Sequence, residues 1–183
     1  SLTESSLINL DSYIKYNFKD KYDYKDNIWF ILYYLRNKID DKTYIEQNLM
    51  FKKDMMDRLE TFGKEKKNRL YDRKELLDSI QKILNTGLST KLYLSNLYNI
   101  NIYILYVQKD ICIKFGNYED SYLFLYDNDK MNLYYEEDDD DYKCDIEDNK
   151  IVKYEDLKNY KKLKIAELKE LSEKLHIDLT KDD

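Results

Sequence analysis

The chain has 183 residues, 43% hydrophobic and 37% charged, with a formal net charge of -6. Aromatic and branched residues are too plentiful for a disordered segment, and the length suits one core-bearing domain. One histidine, His176, and two cysteines, Cys112 and Cys144, are too few for a structural zinc site or a disulfide framework, and Gly63, Gly87 and Gly116 are too scattered for a phosphate-binding loop.

Leu7, Leu10 and Ile14, with Ile8 beside them, recur at helical spacing after Thr3, which predicts a first helix over 4–17. Asp26 stands where it can cap the run from Asn27 to Leu35, which is apolar on nearly every side and belongs at the centre of a core. Two capping-box patterns follow, Thr43-Tyr44-Ile45-Glu46 and Asp72-Arg73-Lys74-Glu75, each with a side-chain acceptor at a helix start and an acid three residues on. The helix after the first is expected to carry Ile45, Leu49, Met56 and Leu59 inward and to break near Gly63. The helix after the second carries Leu76, Leu77, Ile80, Ile83 and Leu84 and should end at Gly87 as a left-handed cap. A short helix over 89–98 completes the helical half.

At Ile100 the apolar period changes from helical to alternating. Residues 100–107 read as a strand, Gln108-Lys109-Asp110 as a turn, and 111–115, 122–126 and 131–135 as further short strands in a meander of hairpins. A weaker strand is expected through Tyr142 to Ile146, then helices over 154–160 and 164–176. This order predicts an α+β fold: a helical N-terminal half packed on a small, mostly antiparallel sheet over 1–153, and a C-terminal helical extension over 154–183.

Charge is divided along the chain, net +3 over residues 1–99 and net -9 over 100–183, with the densest acid at Glu136 to Asp141. That run reads as a solvated, repelling loop; Asp127-Asn128-Asp129 begins like a calcium loop but lacks its glycine and alternate ligand spacing, so neither metal nor cofactor is expected. Cys112 falls in mid-strand, far along the chain from His176, so no nucleophile and base are expected to meet. Lys52, Lys53, Arg58, Lys64, Lys66, Lys67, Arg69, Arg73 and Lys74 are placed to meet phosphates or a protein partner. Glu60, Glu65, Asp72 and Glu75 interleave with them, which also describes a solvated face laced with ion pairs. No apolar run approaches the roughly 20 residues of a membrane helix, and the first residues lack a signal-peptide pattern, so the expectation is an intracellular chain with reduced thiols and no membrane contact. The 20 tyrosines accompany a bias to AT-rich codons, with no proline and a single alanine, Ala166, and are weak evidence for binding.

Three resemblances add to this. The stretch from Tyr160 through Leu163-Lys164-Ile165-Ala166-Glu167-Leu168-Lys169-Glu170-Leu171 to Ile177 resembles the first helix of SAP-type and Rho-N-type modules, a Leu-x-x-Leu helix after a short Leu-Lys lead. That likeness implies nucleic-acid contact through Lys161, Lys162, Lys164 and Lys169, although the second helix of such a module has no counterpart before Asp183. The order of a basic helical segment from Met56 to Lys67, the run from Ser89 to Ile102, short strands and a Leu-Lys helix resembles a conserved family of the nucleocytoplasmic large DNA viruses, the giant viruses. It implies a viral protein acting in an infected cell or in the particle, and supplies no catalytic residues. A buried helix ahead of the elements from Ser89 onward is also similar to the ovarian-tumour deubiquitinase scaffold. That family's Asp-Gly-x-Cys element would fall at Asp26-Asn27-Ile28-Trp29, which has no cysteine, so the likeness implies an inactive scaffold. The function expected is a non-enzymatic binding or adaptor protein that recognises a protein partner or nucleic acid through charged helical faces. A carboxylate and metal-dependent enzyme, and a structural virion component, are the alternatives.

Overall fold

The alternating run from Ile100 becomes the middle of a six-stranded sheet. The computed structural model describes residues 5, 7–17, 28–37, 44–64, 71, 73–82, 86–147 and 151–158. Its strands are β1 (Tyr13–Lys15), β2 (Ile100–Tyr106), β3 (Ile111–Phe115), β4 (Asp120–Asp127), β5 (Lys130–Glu136) and β6 (Val152–Lys153). Its helices are α1 (Ile28–Asn37), α2 (Tyr44–Lys64), α3 (Arg73–Lys82), α4 (Leu88–Tyr98) and α5 (Tyr154–Lys158). The sheet order is β1-β5-β4-β2-β3-β6, and the class is α+β as expected.

The meander is corrected. β3 does fold back on β2, through a 3-10 turn at Val107–Lys109 and a left-handed Asp110, but β4 then crosses to the other edge of β2 and pairs with it in parallel, from Ile100 opposite Asp120 to Tyr106 opposite Tyr126. The physical reason is burial: six of the seven β2 residues are buried, and a strand enclosed on both faces needs ladder partners on both edges. Three of the five pairings are antiparallel, and β2 with β4 and β3 with β6 are parallel.

The crossing is made by residues 116–119. Gly116 has φ of +91°, and a Cβ there would run into Ser95 Oγ and lie 2.9 Å from the Ile100 carbonyl oxygen, so only glycine lets the chain pass this close to the start of β2.

Strand alternation divides the apolar residues between two faces. Ile100, Ile102, Ile104, Ile113, Phe115, Phe124 and Leu133 meet Ile28, Trp29, Ile31 and Leu32 of α1, with Met55, Leu76, Tyr93 and Leu94 from the next three helices. The placing of α1 at the centre of the core therefore holds. Tyr103, Leu105, Cys112, Leu123 and Leu125 face the other way and are covered by Leu7, Ile8, Leu10, Cys144, Ile146 and Ile151.

That second face accounts for two further corrections. The helix expected over 4–17 is instead, among its described residues, a 3-10 turn at Leu10–Ser12 followed by β1, which pairs with β5 from Tyr13 opposite Glu136 to Lys15 opposite Tyr134. Leu7, Ile8 and Leu10 have an apolar surface to cover, so their spacing is satisfied by the sheet and not by a helix. The strand expected over 142–146 is a segment without a ladder, beginning at a left-handed Tyr142 and tied down where the Cys144 amide donates to the Ser121 carbonyl at 2.9 Å.

Gly87 also differs from expectation. Its backbone is extended, φ -75° and ψ 176°, and it forms the N-cap of α4 in place of a left-handed end to α3. Without a Cβ it leaves room for the Glu75 carboxylate, which accepts from the Thr90 amide at 3.0 Å and from the Thr90 hydroxyl at 3.2 Å. Glu75 thus caps the following helix across a turn. At the other end of the chain, α5 sends Tyr154 and Leu157 into the main core, with the Tyr154 ring 4.9 Å from Phe115. The helix expected over 164–176 lies outside the described residues.

Candidate partner-binding face

The helix that carries most of the described basic candidates is α2, and it is held to the body through Met55, on one flank of the row expected to face inward. Met55 is fully buried in the main core, whereas Leu49 is 63% exposed and Met56 43% exposed. Met50, one residue round from Leu49, is 42% exposed. The stripe of Ile45, Leu49, Met56 and Leu59 was expected to face inward; at Leu49 and Met56, whose side chains are described, it faces solvent. The same sequence holds a second stripe. Phe51, Met55 and Phe62 recur at four and seven residues, and of these Met55 is the member whose side chain is described, fully buried. That second stripe is the signal that the row expected inward has a rival.

Charge around the outward side is mixed. Lys52 is half-buried, Lys53 and Arg58 are exposed, and Glu46, Asp57 and Glu60 are exposed among them. The Arg58 Nε donates to Asp54 at 3.2 Å, an ion pair one helical turn long. Lys74 is exposed on α3, and Arg73 opens that helix with its side chain outside the description, as is that of Lys64 at the end of α2. Lys66, Lys67, Arg69, Lys161, Lys162, Lys164 and Lys169 lie outside the described residues. The structure therefore gathers Lys52, Lys53 and Arg58 on one helix and interleaves them with acids.

Both thiols are buried. Burial, with Cys112, Glu136 and Asp145 adding to it, pushes the Cys144 thiol well above its ordinary value, so it is protonated at neutral pH and is a poor nucleophile. A cleft of about 420 Å³ opens between the N-terminal segment and residues 145–147, lined by Leu7, Ile8, Tyr13, Glu136, Asp145 and Glu147. The Tyr13 hydroxyl donates to Glu136 Oε1 there at 3.3 Å, and burial raises its pKa. Among the described residues, no three His, Cys, Asp or Glu side chains converge as a metal-binding set. The acid run is built of tight turns, with the Asp139 amide donating to the Glu136 carbonyl and the Asp141 amide to Asp139 Oδ1, both at 2.9 Å.

No family model, curated protein or solved structure matches the chain. Among the described residues, no helix is long and apolar enough to cross a membrane.

Proposed function

We propose that this chain is a binding protein without catalysis of its own, and that it recognises a protein partner through the solvent-facing side of α2. One observation carries the reading: Leu49 and Met56, two turns apart on one side of α2, stand 63% and 43% exposed while Met55 beside them is fully buried. Removing a Leu or Met side chain from water is worth about 1.5–3 kcal/mol, and single exposed apolar residues are ordinary, but a pair in line on one helix is the mark of a surface with an occupant. Met is suited to such a surface because its unbranched chain adapts to what it meets. The interleaved Glu46, Asp57 and Glu60 weigh against a phosphate backbone as that occupant, since each would repel it. The buried, protonated Cys144 supports a role other than nucleophilic catalysis. The AT-rich composition supports a viral setting, in an infected cell or a particle.

The test is affinity capture with the native chain and with a variant carrying Leu49→Glu and Met56→Glu, both confirmed as folded by circular dichroism and urea melting. A specific protein retained by the native chain and lost from the variant is the expected result. Equal retention by both, or retention of RNA or DNA that falls steeply as salt rises, would contradict the proposal.

A further inference from the structure

We infer that the cleft between the N-terminal segment and residues 145–147 binds an aliphatic polyamine, its ammonium groups met by Glu136, Asp145 and Glu147 and its methylenes laid on Leu7, Ile8 and Ile146. None of the lining residues belongs to α2, so this site does not rest on the reading given to that helix.

Size and floor come first. At about 420 Å³ the cleft falls within the range of small-molecule sites, and Leu7, Ile8 and Ile146 belong to the apolar layer that covers the second sheet face. Ile8 is 7% exposed, so the floor is part of packed structure. Hydrocarbon laid on such a floor leaves water, which favours binding in proportion to the apolar area covered.

The walls supply charge of one sign. Glu136 ends β5, and Asp145 and Glu147 flank Ile146 on the segment beyond Cys144. The Tyr13 hydroxyl donates to Glu136 Oε1 at 3.3 Å and orients that carboxylate at the cleft. Burial raises the Tyr13 pKa, and Cys144, Glu136 and Asp145 add to the rise, which sets Tyr13 in the field of a carboxylate from each segment. Among the described residues no lysine or arginine pairs with any of the three acids, and Lys143, two positions before Asp145, is held by Asp120 at 3.3 Å. From Gly116 to Asn149 the chain carries 13 acids and two lysines, net -11, so the field around the cleft gathers cations.

The spread of the acids decides between kinds of cation. A bound Mg²⁺ or Ca²⁺ needs several oxygens within about 2.0–2.6 Å of one point, and these carboxylates do not converge as such a set. A compact ion would also leave the apolar floor uncovered. Charges set apart beside an apolar floor are matched by a ligand whose own charges are set apart by hydrocarbon, which is the chemistry of a polyamine.

The experiment is isothermal titration of the full chain with spermidine in about 150 mM salt, where exposed charges more than roughly 8 Å apart are largely screened. One saturable site per chain is expected. Diamines of three, four and six carbons, equal in charge, should bind more tightly as they lengthen, because added methylenes lie on the floor. Mg²⁺ at the same concentration should not displace spermidine. Asp145 and Glu147 are exposed, so Asp145→Asn with Glu147→Gln should leave the urea midpoint near that of the native chain while weakening spermidine about tenfold. Asp138→Asn with Asp140→Asn, exposed on the acid run and outside the lining, should change the affinity by less than about twofold. Absence of saturable binding, affinity that ignores diamine length, or affinity unmoved by Asp145→Asn with Glu147→Gln overturns the inference. So does displacement by Mg²⁺ or a loss that follows Asp138 and Asp140, either of which marks counterions gathered by net charge alone.

Discussion

The side chain of Asn101 grips the backbone of Tyr118 at both polar atoms. Its Nδ2 donates to the Tyr118 carbonyl at 2.7 Å and its Oδ1 accepts from the Tyr118 amide at 2.8 Å. A single amide thereby substitutes for a strand partner where the chain crosses from β3 to β4. The Tyr118 hydroxyl continues the chain of bonds to Asn96 Oδ1 at 2.7 Å, and Asn96 Nδ2 donates to the Tyr71 hydroxyl at 2.6 Å. Asn101 is 3% exposed, so its removal strands a donor and an acceptor away from water. Asn101→Ala should lower stability by about 2–3 kcal/mol, read as a lower urea midpoint with an unchanged slope. A midpoint unmoved by Asn101→Ala would show that the crossing is held by other contacts.

Gly116→Ala tests the same crossing by sterics. The added methyl meets Ser95 Oγ, whose hydroxyl is fixed by donating to the Ile100 carbonyl at 2.6 Å, and the backbone stands at a φ that L-residues rarely adopt. A loss of about 1–3 kcal/mol is expected, since strain at positive φ and the contact act together. An unchanged melting temperature would place the crossing elsewhere than described.

How much of this was legible in the sequence depends on how local the cause is. The boundaries of α1, α4, β3 and β5 follow from apolar period and turn residues within about ten positions, and the sequence reading of them holds. The parallel pairing of β2 with β4 was not legible, because the four residues between Phe115 and Asp120 suit a hairpin as well as a crossing. Asn101, fifteen or more residues upstream, bonds the backbone of Tyr118 within the crossing, and no local pattern announces that partner. Residues 4–17 show the opposite error. Their apolar spacing is compatible with a helix, but the existence of a second sheet face to cover is a tertiary fact. On α2 the exposure of Leu49 and Met56 depends on how the body holds the helix, which no local pattern states.

Glu75 is a third point at which distant residues fix local structure. Its carboxylate accepts from the amide and hydroxyl of Thr90 at the start of α4, and Thr90 Oγ1 lies 3.0 Å from Ser79 Oγ. Glu75→Ala leaves the buried Thr90 without this acceptor and α4 without its cap. A destabilisation of about 1–2 kcal/mol is expected, with faster hydrogen exchange in the first turn of α4 as its local signature. Glu75→Ala with unchanged exchange there would contradict the capping role.

Alkaline pH should destabilise the fold. Burial pushes Tyr93 from 10.0 up to about 12 and Tyr16, beside Tyr142 and Tyr34, also to about 12. The Cys144 thiol is raised well above 9.0 for the same reason. Each group ionises first in the unfolded chain, so the folded state holds more protons once pH passes about 9. Stability contributed by the protonated forms is intact below that pH and declines as pH climbs towards the folded values, by up to about 1.4 kcal/mol per pH unit for each group that ionises only when unfolded. Urea midpoints at pH 7.5, 9 and 10.5 should fall in that order. A flat profile would mean these groups titrate normally in the fold.

The three methionines of α2 report directly on whether its outward side is where a partner sits. Met55 is fully buried and Met56 is 43% exposed, although they are neighbours in sequence. Brief peroxide oxidation read by mass spectrometry should modify Met56 and spare Met55 in the free chain, and in the complex purified through a tag on the chain Met56 should become protected. Met56 oxidised as readily in that complex as in the free chain would place the partner on another surface.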